Sequence, residues 1–65
     1  METRKITTVD DQDETTLMVE QSQENHTYLE VTTYHDGIQM DWAGMELSKQ
    51  QVEDLIEILK EKIGA

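Results

Sequence analysis

Tyr28-Leu-Glu-Val-Thr-Thr-Tyr-His-Asp-Gly-Ile-Gln-Met-Asp-Trp-Ala43 decides the fold. Asp36-Gly37 between two alternating runs is a strong signal for a two-residue type I′ hairpin. That turn sets His35 opposite Ile38, Thr33 opposite Met40 and Val31 opposite Trp42. Leu29, Val31, Ile38, Met40 and Trp42 then share one face, so turn chemistry and hydrophobic alternation agree. Upstream, Thr16-Leu-Met-Val-Glu-Gln21 alternates in the same way and reads as a further strand. A three-residue loop, Glu24-Asn25-His26, joins it to the hairpin and places Val19 opposite Val31 and Leu17 opposite Thr33. Asn25 or His26 supplies the left-handed backbone. A two-residue loop, Glu24-Asn25, would turn Leu17 and Val19 outward.

Downstream the period changes from two to 3.6. Ser48 and Gln51 form a capping box, with Leu47 and Val52 at the staple positions. Val52, Leu55, Ile56, Leu59 and Ile63 follow as one apolar stripe, with Ile58 on its flank. Lys60 and Lys62 suit the C-terminal end of a helix, and Gly64 a stop. The expected fold is α+β. It is an antiparallel meander of three strands, or four if Lys5-Ile-Thr-Thr-Val9 adds an edge strand, with one C-terminal helix packed on one face. One domain spans 1–65: an N-terminal segment 1–15, the meander 16–43 and the helix 48–63. The expected core is Leu17, Val19, Leu29, Val31, Ile38, Met40, Trp42, Leu47, Val52, Leu55, Ile56, Leu59 and Ile63.

The charge is as uneven as the pattern is regular. Residues 6–48 hold no lysine or arginine in 43 positions, and ten carboxylates: Asp10, Asp11, Asp13, Glu14, Glu20, Glu24, Glu30, Asp36, Asp41 and Glu46. Nearly all of the formal charge of −10 sits there. A surface of one sign costs stability by self-repulsion and selects cationic partners. Nucleic acid and anionic membranes are poor direct ligands for it. A basic, nucleic-acid-binding protein is the natural complement.

At 65 residues without cysteine, the chain has no disulfide to support a small core, so a homodimer is a reasonable expectation. Met1-Glu-Thr-Arg-Lys5 has no apolar signal region, and no apolar run is long enough to span a bilayer. A cytoplasmic location is expected, the host cytoplasm if the source is a phage. Asp10-Asp-Gln-Asp-Glu14 lacks the glycine of a calcium loop and reads as an acidic loop or turn. His26 and His35 fall at turns, and neither serine has a catalytic context. Neither a phosphate loop nor a metal-ligand spacing occurs, so no cofactor, metal or catalytic residue is expected, and the chain is read as a non-enzyme.

Under this register the sheet face away from the helix displays Met18, Glu20, Tyr28, Glu30, Thr32, Tyr34, Gln39, Asp41 and Ala43. Glu20 stands opposite Glu30, and Asp41 diagonally from it, a row of carboxylates spaced about 5–8 Å apart. Such a face is either a solvated surface or a binding surface, since exposed tyrosine is enriched in interfaces. The candidate partner-binding residues are Glu20, Tyr28, Glu30, Tyr34, Asp36 and Asp41, with Asp10, Asp11, Asp13 and Glu14.

A small acidic α+β chain with its charge on one surface resembles the phage-encoded inhibitors that imitate DNA and block restriction, CRISPR or DNA-repair enzymes. The strand region with Tyr34-His35-Asp36-Gly37 is similar to the short uracil-DNA glycosylase inhibitors of Bacillus phages. None of that family's inhibitory residues maps onto this chain. The resemblance implies a DNA mimic that inhibits by filling a basic groove. The alternative is a small dimeric structural or adaptor module whose acidity serves solubility only.

Overall fold

A computed structural model describes residues 3–64. Four antiparallel strands form one open sheet in the order β1-β2-β3-β4, followed by one helix. The strands are β1 (Thr3–Asp10), β2 (Asp13–Gln23), β3 (His26–His35) and β4 (Ile38–Ser48), and the helix α1 is Lys49–Ile63. The edge strand suggested by Lys5–Val9 is present and longer than its apolar pattern. The acidic stretch after it closes as a tight turn at Asp11 and Gln12, with Asp10 paired to Asp13. Asp11 takes φ 58°, a left-handed value that aspartate tolerates.

The Asp36-Gly37 hairpin has both residues at positive φ, 52° and 79°, and pairs His35 with Ile38 as expected. Tyr34 still pairs with Gln39, as that register requires, but Thr33 then pairs with Asp41 instead of Met40, which leaves Met40 as an extra residue in a β-bulge. Side chains alternate with period two, so one inserted residue exchanges the faces of everything that follows. Val31 therefore stands opposite Ala43 rather than Trp42, and Trp42 moves to the far face opposite Thr32. Side chains serve the backbone beside the bulge. Asp41 Oδ1 accepts the Trp42 N–H at 2.8 Å, and Thr33 Oγ1 donates to the Asp41 carbonyl at 3.4 Å.

The β2–β3 turn also differs from the expectation. It is the two-residue Glu24-Asn25 turn, with Asn25 at φ 62°, and a register shift between Gln21 and Gln23 leaves Ser22 as the extra residue. The bulge does what the longer loop was expected to do, keeping Leu17 and Val19 on the face of Leu29 and Val31. The partners are Val19 with Leu29 and Leu17 with Val31, and Glu20 faces Tyr28 instead of Glu30.

The helix starts as its sequence dictates. The Gln51 N–H donates to Ser48 Oγ at 3.3 Å, and the Ser48 N–H donates to Gln51 Oε1 at 2.9 Å. Gly64 closes it at φ 76°. Packing is where the expectation fails. α1 meets mainly β4 and β3, through the half-buried Val52 and Leu55, and none of its residues is fully buried. Leu47 is the one buried apolar side chain among the described residues, at 8% exposure. Val31, Ile38, Met40, Trp42, Ile56, Leu59 and Ile63, all expected in the core, are exposed. No described helix is long and apolar enough to cross a membrane.

Candidate binding surface on the outer sheet face

The two bulges arrange the face away from α1 into rows that run across β2, β3 and β4. Glu20, Tyr28 and Glu46 form one row, and Met18, Glu30 and Gly44 the next. Thr16, Thr32 and Trp42 form a third, and Glu14, Tyr34 and Gln39 a fourth. Neighbours within a row lie about 5 Å apart and successive rows about 7 Å apart. Lys5, opposite Met18 on β1, is the cation on this face among the described residues.

Tyr28 is the best-anchored member. Its ring lies over Gly44, so a Cβ built on that glycine would run into Oη, Cζ and Cε1 of Tyr28. Glycine leaves room here for another residue's ring in its side-chain space, and cross-strand packing of an aromatic on a strand glycine is a stabilising device. The hydroxyl donates to Glu30 Oε1 at 3.0 Å. Tyr28 titrates above the ordinary phenol value. The hydrogen bond to Glu30 is the largest cause, followed by burial, the charge of Glu30 and then the charge of Glu20. Each carboxylate disfavours a second negative charge beside it. Glu46 on the other flank accepts from Gln23 Nε2 at 3.2 Å. Thr32 is buried between its row neighbours, and Trp42 beside it is 57% exposed.

The expected site residues separate into three groups. Glu20, Tyr28 and Glu30 stand together, with Glu14 and Tyr34 on the same face nearer the turns. Asp10, Asp11, Asp13 and Asp36 gather at the opposite end from Glu20, around the first and third turns. Those turns are tied by the Asp36 N–H to the Gln12 carbonyl at 3.0 Å. His35 bridges there, its Nδ1 2.7 Å from Asp13 and its Nε2 3.5 Å from Asp36. His26, at the other end, contacts the Glu24 carbonyl at 3.0 Å. Asp41 leaves the face altogether, because the bulge at Met40 turns it to the helix side beside Thr33. The carboxylate row is therefore not Glu20, Glu30 and Asp41. The acids that flank Tyr28 are Glu20 and Glu46.

Glu46, Trp42 and Gly44 are members that the sequence reading did not assign. Their signal was present in β4. Ile38, Met40 and Trp42 alternate in one phase and Ala43, Met45 and Leu47 in the other, and such a phase change marks an inserted residue. No known protein family, curated protein or solved structure matches this chain.

Proposed function

We propose that the chain is a non-enzymatic protein-binding inhibitor, a DNA mimic of the anti-CRISPR, anti-restriction or DNA-repair-inhibitor type. Its outer sheet face occupies a basic, nucleic-acid-binding groove of a target protein. The observation that carries this reading is the setting of Tyr28. An aromatic packed on Gly44 and hydrogen-bonded to Glu30 stands in a row between Glu20 and Glu46. Aromatic anchors supply contact area at low entropic cost, and the surrounding carboxylates steer toward and pair with arginine and lysine. Duplex DNA presents a negative charge about every 1.7 Å of its axis, so a groove built for it accepts a negatively charged surface. Trp42 and Tyr34 extend the aromatic part of the surface, and the aspartates around Asp36 extend its field along the strands.

The test is capture of bacterial proteins on the immobilised chain, with and without competing duplex DNA and at two salt concentrations. The reading requires a bound protein that duplex DNA displaces and that salt weakens steeply. A partner indifferent to both would overturn it. That result would favour the second reading, a dimeric adaptor module, which draws its support from the uncovered apolar surface on the helix side.

A further inference from the structure

The helix side of the sheet is apolar and largely uncovered. Leu17, Leu29, Val31, Ala43, Gly44 and Met45 line a shallow depression of about 200 Å³. Val31 and Met45 are 41% and 57% exposed there. The same chain carries a second uncovered apolar surface. Ile56, Leu59 and Ile63, the outer part of the helical stripe, are 46%, 54% and 79% exposed. Val52 and Leu55, near the start of α1, are its two half-buried residues, and the rest of the helix is exposed.

The protomer is also too open for its mass. It exposes 5374 Å² at 7.6 kDa, where a folded monomer of that mass exposes about 4,300 Å². Its radius of gyration is 13.7 Å, against about 11 Å for a compact domain of this length. The surplus of about 1,100 Å² exceeds the roughly 800 Å² that one partner contributes to a standard stable interface.

We propose that two copies of this chain close into a two-fold dimer, the helix of each lying in the apolar sheet depression of the other. The occupant is a second copy because each chain supplies one apolar sheet face and one apolar helical stripe. Reciprocal exchange covers all four surfaces and leaves none to propagate. Charge points the same way. α1 carries Lys49, Lys60 and Lys62 against Glu53, Asp54, Glu57 and Glu61, close to balance. Contact through the outer faces would instead set Glu20, Glu30 and Glu46 against their own copies. The helix-side dimer leaves both outer faces free, so it stands or falls separately from the proposed function.

Sedimentation of the full chain at micromolar concentration tests the stoichiometry. The expected result is twice the 7.6 kDa chain mass, retained in molar salt because apolar burial is not screened. The variant Leu59→Glu with Ile63→Glu alters side chains that are exposed in the protomer. It is expected to run as a folded monomer, with dimer affinity lowered at least a hundredfold. A monomeric wild type, or a dimeric double variant, overturns the proposal. Geometry is tested by mixing two single-cysteine chains, Val31→Cys and Leu59→Cys, under oxidation. Rapid formation of the mixed disulfide is expected, since the chain has no cysteine of its own. A dimer that forms without any mixed disulfide overturns the assignment of the helix to the partner's depression.

Discussion

On the outer face, Tyr28 lies over Gly44 and donates to Glu30, Thr32 is buried, and the carboxylates are held in register by the strands beneath them. On the helix side, Leu17, Leu29 and Val31 line an open depression, and the outer part of the helical stripe, Ile56, Leu59 and Ile63, is left exposed. The polar face of the isolated protomer is thus more fully organised than its apolar face. Sequence alone suggests the reverse, because hydrophobic side chains are expected to find each other first. The apolar pattern of a 65-residue chain thus need not describe an intramolecular core. In a chain of this size, the driving force from apolar burial can be spent between copies.

Charge reversal separates the two faces most strongly in binding. Glu20→Lys combined with Glu46→Lys, on either side of Tyr28, is expected to lower affinity for the captured partner by about 3 kcal/mol, more than a hundredfold. Asp41→Lys changes the charge less, but it lies on the helix side and is expected to cost no more than about 0.5 kcal/mol in the same titration. Equal losses per charge in the two variants would return Asp41 to the outer face and refute the bulge at Met40.

The next effect concerns stability. Leu47→Ala removes the one buried apolar side chain among the described residues and is expected to cost about 3 kcal/mol. Met40→Ala, at a bulge residue that is 64% exposed, is expected to stay within about 0.5 kcal/mol. Urea midpoints at a fixed protein concentration measure both. An unbulged strand with Met40 in the core would make the two costs similar.

These contrasts also mark what the sequence carried. The Asp36-Gly37 turn, the capping box of Ser48 and Gln51, and the stop at Gly64 were legible because each is a local rule acting within four residues. The alternating stretches named the strands for the same reason. Neither bulge was legible in position. The insertion at Ser22 and a longer loop satisfy the same apolar pattern, so nothing local separates them. In β4 two apolar phases compete, and the structure follows Ala43, Met45 and Leu47, the set that ends in the buried residue and leads into the helix. Choosing that phase sends Trp42 outward, Asp41 inward and Glu46 to Tyr28. The β4 side of the candidate surface beyond Gln39 therefore depended on one inserted residue. The openness of the helix side was illegible for another reason: a helical stripe looks identical whether it covers its own sheet or another copy's.

The smallest effect tests the anchor of the outer face itself. Gly44→Ala gains backbone entropy in the unfolded-state balance, worth about 0.4–1 kcal/mol. It also places a methyl where the Tyr28 ring lies. The ring end is free to swing, so what is lost is its packing on Gly44 and its bond to Glu30. The two effects oppose each other, and a net change within about 1 kcal/mol is expected. Titration gives the sharper readout, in a Tyr34→Phe background that leaves Tyr28 the one tyrosine. The folded phenol titrates above its ordinary value, chiefly through the hydrogen bond to Glu30. A group raised on folding adds stability that is fully present below its unfolded value, about 10, and is lost as pH rises through the folded value. In Gly44→Ala the phenolate absorbance is expected to appear at lower pH, and the alkaline loss of stability attributable to Tyr28 to shrink. An unchanged titration would mean that Gly44 does not position Tyr28, and the outer face would lose the anchor on which its proposed role depends.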